Sequence, residues 1–408
     1  MSNRRRVWIQ SLGIEQRDSA KAAFTTRRVP SEAMRTVVGG AVRPRTGDLV
    51  LARIARMGHH RHIEQPDGRR AVLHLGDEII VTYGDRYATD QFESHVPRSL
   101  GRTQLVASGG IASQVLSHSQ AVRTATEIMP IGLLGDDRGR PLNIMSFALD
   151  PVFPEAARPR TIAVIGTAMN SGKTTTIHYL VNGLSRSGVR TGVAKVTGTG
   201  SGNDYWCMLD AGAHRMLDFT DVGLSSTYRQ PLAILERKFG ELVNHLTTSG
   251  CSANFIEVAD GIYQAETSRL LDSNAFHTLI DAVVFAAPDA MGAAAGVAHL
   301  RALGHDVVAV SGLLTRSPLA IREAAGATGL PVLNLEHLSD PATTGPILGL
   351  GDLISEASGP GGVIPIVTSR TVRRAAARSA GPERVRPSTR KVFVLAGAGA
   401  PRPAGDGQ

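Results

Sequence analysis

The run Gly166-Thr167-Ala168-Met169-Asn170-Ser171-Gly172-Lys173-Thr174-Thr175-Thr176 holds the densest chemistry in this chain. Glycines at 166 and 172 let backbone amides close around an anion without Cβ clashes. Lys173 offers a compact ammonium for the outer phosphates of a nucleotide, and the Thr174 hydroxyl is a hard oxygen suited to Mg²⁺. Thr167, Asn170, Ser171 and Thr175 complete the polar lining of the same loop. An apolar strand pattern at 161–165 precedes it and a helical pattern at 172–184 follows. Strand, glycine loop and helix in that order are what a phosphate-binding loop requires, because the helix N-terminus adds partial positive charge. One residue more than usual separates Gly166 from Gly172-Lys173-Thr174.

Lysine is rare here. Lys21, Lys173, Lys195, Lys238 and Lys391 are the only five among 44 basic residues. Arg and Lys are not interchangeable at a phosphate site, so a lysine kept in the loop is informative. Lys195 ends the next strand pattern, 191–196, which puts it at the carboxyl edge of a parallel sheet, where ligands bind in open α/β folds. A solvated lysine at a strand end is the bland alternative. Glu257 stands in the apolar strand 254–258. A carboxylate there is costly unless it is paired, hydrogen-bonded or metal-bound. Asp260 is the nearby alternative, or a cap for the next helix. Asp204 follows the Gly- and hydroxyl-rich stretch 197–203 and reads equally as a metal contact or a helix N-cap. The cluster His59-His60-Arg61-His62 has no evident third ligand and reads as a strand end.

The elements that must position these groups fall into four segments. Residues 1–42 read as a basic flexible arm, 43–155 as a small β-rich domain, 156–358 as the loop-bearing domain and 359–408 as a Gly/Pro/Arg-rich tail with one strand pattern at 392–395. Within 43–155, β-type runs at 49–54, 71–75 and 78–83 are separated by turn chemistry, followed by a short helix at 111–116 and a hairpin with arms 130–134 and 141–146. From 160 onward, strand patterns at 254–258, 282–286, 306–310 and 331–335 alternate with helical patterns at 231–247, 291–303 and 318–328. That alternation gives an α/β fold, a mainly parallel doubly wound sheet, preceded by the β-rich domain. The chain carries a net charge of +8, but its basic surplus is concentrated in 1–45 and 370–391, leaving the middle acidic. Aromatics make up 4% and do not interleave with basic residues, which disfavours nucleic acid. Two cysteines without metal spacing, no signal-like segment and no membrane-length apolar run point to a soluble, cytoplasmic protein.

On the loop, the strand-end Lys195 with Thr197-Gly198 behind it, and the strand-end Glu257, the stretch 160–290 resembles dethiobiotin synthetase and its relatives among P-loop NTPases. The resemblance implies phosphate binding and catalysis by Lys173 and Lys195. It implies Mg²⁺ contacts by Thr174, Asp204 and Glu257, and ATP used to activate a carboxyl or carbamate as a mixed phosphate anhydride. The same loop, the Thr-Gly-rich stretch and Asp218-Phe219-Thr220 also resemble the D-glutamate N-acetyltransferase-like P-loop proteins. Glu257-Val258-Ala259-Asp260-Gly261 departs from the Glu-Gly-x-Gly run of the synthetase, which leaves the substrate open. No Asn-Lys-x-Asp guanine-reading motif occurs; Val310-Ser311-Gly312-Leu313-Leu314-Thr315 fills the base-contact position, favouring ATP over GTP. The expectation is a kinase- or ligase-type transferase using ATP and Mg²⁺ on a small acid-bearing metabolite. The β-rich domain would cover the site or join two copies into a homodimer. The alternative is a nucleotide-dependent switch or assembly-factor NTPase.

Overall fold

Two sheets carry the fold in the computed structural model, which describes residues 6–357. The first is built from β1 (Trp8–Ser11), β2 (Lys21–Ala22), β3 (Thr36–Gly39), β4 (Leu49–Arg56), β7 (Glu78–Tyr83), β8 (Phe92–His95), β9 (Thr103–Ala107), β10 (Ile111–His118) and β11 (Thr126–Gly135), while β5 (His62–Glu64) and β6 (Arg70–Val72) form a separate hairpin. β11 pairs with β4, β4 with β7, β7 with β10, β10 with β9, and β9 again with β11, so these strands close into a ring. Alternate residues fill its two sides. Val50, Ala52, Ile54, Ile79, Val81, Leu105, Ile128 and Leu133 share one core, whereas Leu49, Leu51, Ile80 and Leu134 face another with Val37. Closure removes most exposed edges.

Three expectations fail in this domain. The second hairpin arm, 141–146, makes only isolated bridges at Pro141 and Asn143 before the 3-10 helix Ile144–Phe147. Residues 111–116 are not helical; they belong to β10, which is paired on both sides, and long-range pairing overrides the local pattern. Residues 6–42 are not a free arm. β3 lies between β1 and β11, and Phe24, Val29 and Met34 are buried. The expected tail at 359–408, with its strand at 392–395, lies outside the described residues, as does the start of the arm.

The second sheet is six-stranded and wholly parallel, in the order β14 (Arg215–Asp218), β13 (Thr191–Lys195), β15 (Ala253–Glu257), β12 (Arg160–Gly166), β16 (Ala282–Ala286), β17 (Val307–Ser311). Helices cover both faces. Ala163 and Ile165 of β12 pack with Phe239, Leu242 and Leu246 of the helix Leu232–Thr248. Ile162 and Val164 pack with Ile177, Leu180 and Leu184 of the helix Lys173–Arg186. Burial on both faces explains the near-continuous apolar strands. The expected strand at 331–335 reduces to one bridge, Val310 to Val332, because Asn334 accepts from the His337 amide and caps the helix Leu335–Ser339. β14 had no clear signal in the sequence. Register sets the site: Val164 pairs with Glu257, and Glu257 with Lys195, so three strands end side by side below the glycine loop.

Candidate functional site

The loop between β12 and the helix Lys173–Arg186 is shaped by close backbone approaches. A Cβ on Gly166 would lie 2.2 Å from Ser171 Oγ, and one on Gly172, at φ +105°, 2.8 Å from Gly312 Cα. Asn170 is also left-handed, at φ 60°. Lys173 lies back in the loop, donating to the carbonyls of Ala168 and Asp260, each at 2.8 Å. Burial pushes its ammonium down to about 8, against the pull of Glu257 and Asp260.

Around Lys173 the expected acidic groups assemble. The Thr174 hydroxyl donates to Glu257 Oε1 at 3.0 Å, while Glu257 Oε2 is buried without a partner. Burial holds the Glu257 carboxyl above its usual value, opposed by Lys195. Lys195 forms an ion pair with Asp204 and stands 4.0 Å from Glu257 Oε1. Burial would lower Lys195, but Asp204 and Glu257 outweigh it and hold the ammonium well above its ordinary range. Asp204 therefore joins the cluster through Lys195 rather than as a helix cap; Ser201 occupies the N-cap position. Asp260 is not the cap of the next helix, a role taken by Gln264. Its carboxyl is pushed up to about 6 by burial, and its backbone is left-handed at φ 64°. A hydroxyl beside an orphaned buried carboxylate oxygen is a donor set that fits Mg²⁺.

Asn170, Gly172, Lys173, Thr174, Thr175, Lys195, Asp204, Glu257 and Asp260 all line one cavity of about 490 Å³. Gly166, Thr167 and Ser171 shape the loop from behind it. A second hollow of about 290 Å³ shares Gly172, Thr175 and Leu313 and adds Ser311, Thr315, Arg316, Asn334 and Glu336. It lies at the end of β17, where a nucleotide base is expected. A hollow of about 950 Å³, lined by the β-rich domain and Arg229, contains no loop residue and is separate.

The sequence left open which residues of the β-rich domain reach the site. His60, Arg86, Tyr87, Gln91, Ser108 and Gly109 line the same cavity. Asn170 donates to Asp90 Oδ2 at 2.8 Å, Glu64 Oε2 accepts from the Gly202 amide at 2.7 Å, and a Cβ on Gly109 would sit 2.0 Å from the Gly200 carbonyl. His60 is packed among His59 and Phe92, and burial pushes its imidazole down to about 3. Among the described residues no group of three or more His, Cys, Asp or Glu forms a metal cage. Asp218 and Thr220 do not reach the cavity; they bind Arg27.

The parallel sheet, glycine loop and acidic strand end define a nucleotide-binding P-loop NTPase domain, preceded by a β-rich domain. No family model matches the chain, and no curated protein matches it. Among solved structures it is similar to the 54 kDa signal recognition particle protein of Aeropyrum pernix K1 in complex with GDP, at 22% identity and TM-score 0.32, over 50% of this chain and 49% of that one. Chloroplast FtsY of Physcomitrella patens is similar at 13% identity and TM-score 0.31, over 46% of this chain and 62% of that one. FtsY of Elizabethkingia anophelis in complex with GDP follows at 13% and 0.31, over 44% and 58%. The chain thus spans less than two thirds of each of these structures. No helix among the described residues is long and apolar enough to cross a membrane.

Proposed function

We propose that this protein is an ATP- and Mg²⁺-dependent kinase or ligase that transfers a γ-phosphoryl group to a carboxylate or similar oxygen of a small acid-bearing metabolite. The observation that carries this reading is the cavity. The loop lines a hollow of about 490 Å³ that polar residues of the β-rich domain, His60, Arg86, Gln91 and Ser108, also line. That volume suits a small second substrate beside the phosphates.

In the reaction, an acceptor oxygen attacks the γ-phosphorus and the bond to the β–γ bridging oxygen breaks. ADP leaves with the electron pair. A carboxylate acceptor needs no base and gives an acyl phosphate, either released or passed on in ligation. Lys173 and Lys195 would hold and neutralise the phosphate oxygens. Thr174 and Glu257 would hold Mg²⁺, which would supply positive charge to offset that of the phosphates. Asp204 keeps Lys195 charged and aimed.

A second reading, a nucleotide-dependent switch or assembly factor, draws support from the bond between Asn170 of the loop and Asp90 of the β-rich domain, which ties loop geometry to that domain. The two readings separate on release of nucleoside diphosphate with Mg²⁺, comparing ATP with GTP, with and without a pool of small carboxylic acids. A jump with one acid supports phosphoryl transfer. Slow release that ignores every acid, and rises with a protein partner, overturns it in favour of the switch.

A further inference from the structure

Arg86 is 6% exposed, in the turn between β7 and β8, and lines the loop cavity from the β-rich side. Its Nη2 donates to Gln91 Oε1 at 3.0 Å, whereas Nε and Nη1 are buried with no acceptor at all. No carboxylate pairs with it. Asp90 and Asp260 lie close enough to be felt electrostatically but form no ion pair with it. Asp90 accepts from Asn170 through Oδ2, and its Oδ1 is buried without a partner of its own. The guanidinium stays charged at neutral pH even though burial pushes it down to about 10. A buried cation whose donors are mostly unmet is a costly arrangement for a fold to keep. Next to it, buried His60 Nδ1 is also unpartnered. Both residues line the cavity that the phosphate loop also lines.

Resting on the phosphoryl-transfer reading above, we propose that Arg86, steadied by Gln91, is the receptor for a carboxylate of the second substrate. The β-rich domain is then the acceptor-binding half of the site. A planar fork of N–H donors matches a carboxylate, and desolvation in the cavity strengthens the pairing. Asp260 lines the same cavity, and both Lys173 and Arg86 act on its carboxyl. The substrate class follows: a small acid whose anionic group is gripped by the β-rich domain while an oxygen meets the γ-phosphoryl group.

The test is calorimetric titration of the full chain, saturated with ADP and Mg²⁺, with malonate, succinate and glutarate in turn, and with succinamide as the uncharged control. Wild type is expected to bind at least one diacid and to ignore succinamide. Arg86→Gln should weaken that binding about tenfold or more, and Arg86→Lys less, with ADP affinity unchanged in both. A folded Gln91→Ala variant, which keeps the charge but frees the guanidinium, should show a smaller loss. Diacid binding indifferent to Arg86, no diacid binding by wild type, or loss of ADP affinity in Arg86→Gln would each overturn the assignment; the last would make Arg86 a phosphate contact. Diacid binding that depends on Arg86, with no phosphorylated product when the same diacid is incubated with ATP and Mg²⁺, would instead sink the phosphoryl-transfer reading and leave the anion site standing.

Discussion

Lys195 and Asp204, nine residues apart, meet as a buried ion pair at the carboxyl edge of the parallel sheet. Their side chains are 10% and 20% exposed. The pair fixes the helix Gly202–Asp210 against β13 and keeps a cation beside Glu257. Removing one partner strands the other. Asp204→Leu should cost about 3 kcal/mol of stability in urea unfolding, and adding Lys195→Met to it should recover part of that loss. Additive losses in that double-mutant cycle would show that the pair contributes little. Asp204→Asn should also cut acid-stimulated turnover about tenfold or more, because Lys195 loses its aim.

Lys173 predicts a pH dependence. Its folded-state pKa is lowered to about 8, so the free protein loses this proton as pH rises through that value. A bound phosphate chain favours the ammonium, so nucleotide binding above pH 8 must take up a proton. Affinity for ADP should therefore be level below about pH 8 and fall as pH rises above it, by up to about tenfold per unit. Titrations at pH 8.5 in buffers of different ionisation enthalpy should register the uptake. Lys173→Met should bind more weakly and lose the slope; a slope that survives belongs to another group.

Glu257 carries the proposed metal. Glu257→Gln keeps the shape and the bond to Thr174 but removes the charge a divalent cation needs. Wild type should bind ADP more tightly with Mg²⁺ than with EDTA, and the variant should show no such difference. An unchanged Mg²⁺ effect would move the metal away from this residue. Because Glu257 is fully enclosed and its carboxyl is held up by burial, the variant should fold at least as stably as the parent at neutral pH.

The glycine loop, Lys195 and Glu257 could be read from sequence because their signals are local: a motif, a strand end, a charge in an apolar run. The order of β12, β13 and β15 was not written in any one segment, yet it is what brings Lys195 to Glu257. Arg86 could not be singled out among so many arginines. Its place depends on ring closure by β9, β10 and β11, strands that follow it in the chain. The sequence-level helix at 111–116 failed for the same reason, since pairing partners decided its state.

The N-terminal segment gives the sharpest case, because charge density suggested a loose arm there. Arg27 instead donates to Asp218 Oδ1 at 3.0 Å and meets Asp221 Oδ2 at 2.7 Å, with side-chain exposures of 10%, 2% and 5%. Its guanidinium lies 4.0 Å from the Phe24 ring centre and 5.1 Å from that of Tyr205. The carboxylates belong to the end of β14 and the turn after it, so one arginine joins the first residues of the chain to the nucleotide-binding sheet. Arg27→Met would leave two buried acids facing each other with only Arg28, 3.7 Å from Asp221 Oδ1, to offset them, and Asp221 is already pushed up by its burial. The expected loss is about 3–5 kcal/mol in urea unfolding. Deleting residues 1–42 removes Arg27 together with β1 and β3, and should yield insoluble protein rather than a trimmed one. A soluble deletion variant with an unchanged unfolding midpoint would restore the arm interpretation and separate the β-rich domain from the stability of the sheet.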